Sequence, residues 1–341
     1  MNPMARNGHQ RNILRYAFGA TVGLLLAITF GGLMGYLLPL LALPFLAGNK
    51  ALGLAEGLMF MVVMALAVLF VNVVILFFVD YPAVLILVLF LLIFHIFYAR
   101  HKLLPPPVKI LLMACLLSIP NLATKSVALA QGISLGMVVM ASASVLLTWL
   151  CYYVFPADGV PAPAKASLPP VRTTGYRKKE YREALTKTIV IFPAVLLFYF
   201  VELTSALLVL IYISILTFQK GFGKGFDEGK LLVLGNLIGG VLAIVFYELV
   251  ALVPTLPFYF LLMLLVGIFI ASRLFGPSPL APIYGTAFTT FLLVIGITTS
   301  FGSTDAGTKV WVRVSQIMMA VIYVAVFFGF IYEWRKEYGK A

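Results

Sequence analysis

The chain has little charge for its size. Asp, Glu, Lys and Arg make up 11% of its 341 residues, where a soluble domain carries about a quarter. That shortage excludes an ordinary water-soluble fold. The four aspartates (Asp80, Asp158, Asp227 and Asp305) stand far apart in sequence. No HExxH or DxxxD pattern is present, so the carboxylate pairs of metal-dependent chemistry are missing. Cysteine is nearly absent. Cys115 and Cys151 lie in apolar surroundings without a CxxC or Cys/His spacing, and read as small buried hydrophobes. The glycine-rich stretch 221–229 has no Ser or Thr after its lysines, so it does not match the phosphate-cradling GxxxxGK[ST] pattern. These absences lead us to expect no metal, no cofactor and no enzymatic activity. No small-residue cleavage site follows the first apolar run, which therefore reads as retained.

What is abundant is apolar sequence. Hydrophobic residues reach 62%, in continuous runs near the roughly 20 residues that cross a bilayer as a helix. In lipid only helices or a closed barrel satisfy the backbone. The runs do not alternate, so helices are expected. Twelve apolar segments can be counted: 13–30, 33–48, 56–79, 82–99, 106–122 and 127–155, then 185–202, 204–219, 230–252, 255–273, 278–299 and 310–333. The expected fold is an all-α polytopic membrane protein with about 12 transmembrane helices, arranged as two parallel six-helix repeats. A first membrane repeat occupies 1–156, a basic linker 157–183 and a second repeat 184–341.

The repeat shows as a constant offset of 172 residues. Arg15 meets Lys187. Gly53, Glu56 and Gly57 meet Gly225, Glu228 and Gly229. Pro82 meets Pro254, while Pro105 and Pro107 meet Pro277 and Pro279. Apolar matches are cheap in such a sequence. Glycine, proline and charge carry more weight, because they mark turns and breaks for stereochemical reasons. Six spans per half leave both halves in one orientation, related by an axis along the membrane normal. One set of loops holds most of the Lys and Arg behind the net charge of +12. The positive-inside rule puts that set, with both termini, in the cytoplasm.

The loops before the third helix of each half read Gly48-Asn-Lys-Ala-Leu-Gly-Leu-Ala-Glu-Gly57 and Gly221-Phe-Gly-Lys-Gly-Phe-Asp-Glu-Gly229. With the two six-helix repeats, they resemble the fusaric-acid-resistance and aromatic-acid-exporter superfamily, in a compact form without large cytoplasmic domains. The resemblance implies a bacterial inner-membrane exporter of aromatic or amphipathic organic acids. It also implies a periplasmic membrane-fusion adaptor protein as a partner.

Several residues are candidates for the work. Arg15 and Lys187 hold equivalent places in the first and seventh spans, where two cations would attract an organic acid. The alternative is positive-inside anchoring with the side chains snorkelling outward, which also describes Lys109. His95 and Glu248 are candidate proton carriers, because ionisable groups inside a membrane are costly. Otherwise they are an interior hydrogen-bonded histidine and a wet carboxylate at a helix end. Asn72 and Asn236, with the stripe Tyr284, Thr286 and Thr290, line a substrate pathway or knit helices together. Gly19/Gly23, Gly132/Gly136 and Gly235/Gly239 are spaced for close helix approach. A proton-driven secondary exporter is the expected function. The alternatives are a membrane-embedded lipid- or isoprenoid-modifying enzyme and a non-transporting scaffold subunit; a homo-oligomer is compatible with each.

Overall fold

Long apolar runs hydrogen-bond internally, and the result is helical throughout the part that is described. The computed structural model describes residues 3–30, 34–48, 50–99, 106–157, 178–200, 226–277 and 280–300, with isolated positions in 210–217 and 315–327. Among the described residues there are ten helices and no strand. They are α1 (Pro3–Phe30), α2 (Leu37–Leu46), α3 (Leu54–Phe78), α4 (Pro82–Tyr98), α5 (Pro106–Ala123), α6 (Val127–Val154), α7 (Lys178–Phe200), α8 (Phe226–Leu252), α9 (Leu256–Leu274) and α10 (Ala281–Ser300).

Five stretches are long and apolar enough to cross a membrane: Gly8–Phe30, Leu54–Phe78, Val127–Val154, Leu234–Leu252 and Leu256–Leu274. Shorter apolar stretches occupy Leu37–Leu46, Pro82–Tyr98, Leu111–Ala123 and Ala281–Gly296. Of the twelve expected spans, the described residues thus carry five of full length and four shorter apolar helices. Segments 204–219 and 310–333 lie outside the described residues, apart from isolated helical positions. Most of the linker, 158–177, and the loop motif at 221–225 lie outside them too. The second expected span is short: α2 has ten residues, a rise of about 15 Å against a hydrocarbon core of about 30 Å.

Local chemistry sets the helix limits. Ser126 caps α6, its hydroxyl accepting from the Leu129 amide at 3.3 Å. Glu56, in the first turn of α3, reaches back to accept from the Gly53 amide at 3.2 Å, one arm of a capping box. Pro82 opens α4, where a missing amide costs nothing. α1 and α7 begin well before the apolar runs they contain. Polar residues fill the turns ahead of the apolar runs (His9, Gln10, Arg11 and Asn12 in α1; Lys178, Lys179 and Glu180 in α7), so α7 takes in residues assigned above to the linker.

The packing has a pattern. α1 lies along α2 and α9, and α8 lies along α10. α3 sits against α5 and α6, and α4 against α7. At the 172-residue offset Leu54 corresponds to Phe226, the first residue of α8. Pro82 corresponds to Pro254, just before α9, and Pro106 to Ser278, just before α10. Neighbours recur as well as limits. α1 lies on α9 as its counterpart α7 lies on α4, and α3 lies on α5 as α8 lies on α10. Between α1, α9 and α10 the core is aromatic: Tyr16 meets Phe275 at 5.6 Å and Phe288 at 5.5 Å between centroids.

Candidate functional site

Arg15 is fully buried. Its surroundings explain how a cation is held there. α2 ends beside it, and the last carbonyls of a helix lack intrahelical partners. Arg15 Nη2 donates to Gly48 O at 2.8 Å and to Asn12 Oδ1 at 2.9 Å, while Nε and Nη2 both approach Leu46 O at 3.4 Å. The guanidinium carbon lies 4.0 Å from the centre of the Tyr152 ring, a cation–π distance. The Tyr152 hydroxyl donates to the same turn, at 2.7 Å to Gly48 O and 3.1 Å to Phe45 O. Trp149 Nε1 donates to Leu52 O at 2.9 Å, fixing the approach to α3. Arg15 therefore closes the C-terminus of α2, a position favourable to positive charge.

Lys187 is placed differently. Its ammonium pairs with Glu183 Oε1, one turn back on α7, at 2.9 Å, and its side chain keeps 22% of its surface exposed. The Arg15 and Lys187 side chains thus contact different helices despite their equivalent positions. Lys109, in the first turn of α5, is buried and donates to Ala99 O at the end of α4. It lies within electrostatic reach of Lys187, Glu183 and Glu180. The fold gathers these four groups from α5 and α7.

The amides and threonines form two polar links between helices. Thr290 Oγ1 donates to Asn236 Oδ1 at 2.6 Å, both residues being fully buried. The bond is sited where α8 and α10 approach closely. A Cβ at Gly239 would lie 2.3 Å from Ala287 O, and one at Gly235 would lie 3.0 Å from Thr286 Cβ. Asn236, Thr286 and Thr290 thus meet on one seam. Tyr284 is half-buried near the start of α10. Thr286 Oγ1 donates back to Pro282 O on its own helix at 3.2 Å. Asn72 makes the second link, its amide donating to Ser134 Oγ on α6 at 3.0 Å and to Val68 O at 2.8 Å. The glycine pairs differ among themselves. Gly19 and Gly23 admit α2 at van der Waals contact, whereas a Cβ at Gly132 would meet nothing within 4 Å.

His95 and Glu248 are both exposed, on α4 and α8. His95 Nδ1 lies 2.7 Å from Leu91 O; since a carbonyl only accepts, that nitrogen carries the proton. Among the described residues no group of three His, Cys, Asp or Glu side chains is placed to hold a metal ion. The structure adds functional candidates that the sequence reading did not weigh, namely Tyr152 and a run of rings between α4 and α7. Phe90 meets Phe192 at 4.9 Å, and Phe94 meets Tyr181 at 5.3 Å and Tyr98 at 5.8 Å. The available signal was asymmetry. At the offset, Lys109, Phe94 and Phe90 align with Ala281, Val266 and Leu262.

A family model described as "Protein of unknown function (DUF2955)" matches residues 12–151. Over α1 to α6 the chain is similar to this family. The match takes in Arg15, the end of α2, Asn72, His95, Lys109 and Trp149. It stops at Cys151, one residue before Tyr152, and its description names no activity. No curated protein and no solved structure matches the chain.

Proposed function

We propose that the chain is a secondary transporter of the bacterial inner membrane. In this reading, two six-helix repeats meet about an axis along the membrane normal and export aromatic or amphipathic organic acids. The observation that carries the reading is the reciprocal packing of α1 on α9 and of α7 on α4. Such reciprocity is the mark of a two-fold relation. A seam between two like halves is where repeat-built transporters hold their substrates and rock between access states. The concentration of Lys and Arg in one set of loops supports cytoplasmic termini. The likeness of the loop motifs to the fusaric-acid-resistance superfamily supports the substrate class and a periplasmic adaptor partner.

Within this reading Lys187 is the cation open to an incoming acid, because its side chain is partly exposed whereas Arg15 is fully buried. His95 and Glu248 are its proton carriers, being titratable groups outside the packed core. The Asn236–Thr290 and Asn72–Ser134 links flank the path and hold its walls. The test is protection of an efflux-deficient bacterium against a panel of aromatic acids, with the chain expressed alone and with a candidate adaptor. Protection that is lost in the Lys187→Gln variant supports the reading. No protection despite full membrane expression refutes it.

A further inference from the structure

We propose that the seam between α4 and α7, and not its counterpart between α1 and α9, is the binding site for a planar aromatic monoanion, with Lys109 and Lys187 as its carboxylate contacts. This rests on the transport reading above and specifies where its substrate enters.

Four observations converge. Lys109 is 4% exposed, an expensive place for an ammonium. Among the described residues its one hydrogen-bond partner is Ala99 O, and an ammonium carries three donors. Lys187 lies within electrostatic reach of Lys109 from α7, as do the carboxylates of Glu183 and Glu180. Its partner Glu183 is 62% exposed, and an exposed pair within one helix is weak and readily exchanged for another carboxylate. The same two helices carry Tyr98, Phe94, Tyr181, Phe90 and Phe192, all half-buried. Phe94 stacks on Tyr98 at an interplanar angle of 9° and meets Tyr181 edge-on. Rings arranged this way offer faces and edges to a further ring.

The counterpart seam has buried Arg15 in the place of Lys187 and differs at the other aligned positions. Ala281 stands where Lys109 would be, and Val266, Leu262 and Ala20 stand for Phe94, Phe90 and Phe192. A Cβ at Gly267 would come within 3.1 Å of Ala17, so α1 and α9 touch there, and the groove farther along them, lined by Leu25, Thr29, Leu256 and Phe260, is apolar. The two seams thus differ in chemistry, and the one between α4 and α7 carries the lysines and the run of rings.

The test is isothermal titration of the full chain in lipid nanodiscs with benzoate, cyclohexanecarboxylate and benzyl alcohol. Benzoate should bind most tightly, and benzyl alcohol, without charge, weakly or not at all. Lys109→Gln and Lys187→Gln should each weaken benzoate by about tenfold or more, the loss expected for one charged contact. Phe94→Leu should erase the preference for benzoate over cyclohexanecarboxylate and leave the charge requirement. If the buried Lys109→Gln variant does not fold, Lys187→Gln and Tyr181→Leu, at partly exposed positions, decide the matter. Unchanged benzoate binding in folded variants, or no benzoate binding by the wild-type chain, overturns the proposal. Benzoate transport in vesicles that survives the lysine substitutions would overturn this site alone. A chain that transports nothing would overturn the transporter reading itself.

Discussion

A guanidinium removed from solvent is tolerated only when acceptors replace the lost water. Arg15 meets that condition at Nε and Nη2 by gathering the free carbonyls at the end of α2, while Nη1 has no acceptor among the described residues. Arg15→Gln should therefore cost stability of about 2–3 kcal/mol, as a charged hydrogen-bonding group is withdrawn from buried carbonyls. Lys187→Gln removes a partly exposed pair within one helix and should cost under about 1 kcal/mol. Thermal unfolding of the two variants in detergent checks the contrast; equal losses would contradict the placement of Arg15. The sequence offset aligned these two cations but was silent on their difference. The carbonyl partners of Arg15 are more than thirty residues away, in Leu46 and Gly48, and local periodicity does not record contacts of that range.

At the scale of helices, hydropathy carries most of the information, since each apolar run among the described residues is a helix for want of any other backbone partner. The limits of α3 to α6 and α8 to α10 fall within a few residues of the apolar segments. Three elements depart from them. α1 and α7 extend through polar turns that a hydropathy window excludes, and α2 ends early beside Arg15 and Tyr152. Glycine spacing was a partial guide, because only contact tells a packing glycine from an idle one. Gly239→Ala should drive α8 off α10 and destabilise by about 2 kcal/mol or more, the scale of overpacking. Gly132→Ala, in open surroundings, should be neutral or stabilising by up to about 1 kcal/mol through helix propensity. Unfolding of the pair under matched conditions tests this, and a cost at Gly132 equal to that at Gly239 would refute the packing described.

At the scale of the whole molecule, the arrangement is two sets of helices exchanging contacts in a reciprocal pattern. The constant offset of glycine, proline and charge pointed to the helices that exchange these contacts. It did not reveal which seam carries aromatic and charged chemistry, because both halves pass the same hydropathy test. Cross-linking checks the contacts between halves. In a chain with Cys115 and Cys151 replaced by alanine, the pairs Ala17→Cys with Gly267→Cys and Phe90→Cys with Phe192→Cys should both oxidise in membranes. The first pair is set by backbone proximity, with Cβ atoms 3.1 Å apart, near the separation a disulfide requires. Failure of both pairs would undo the reciprocal packing.

The most direct test of the central claim is proton movement in liposomes containing the purified full chain alone. With a benzoate gradient imposed and a pH-sensitive dye inside, a proton-driven carboxylate transporter predicts a benzoate-dependent proton flux that is absent from empty liposomes. The Lys187→Gln variant should lower that flux. A correctly inserted chain that moves no protons with benzoate or any other aromatic acid would contradict the account.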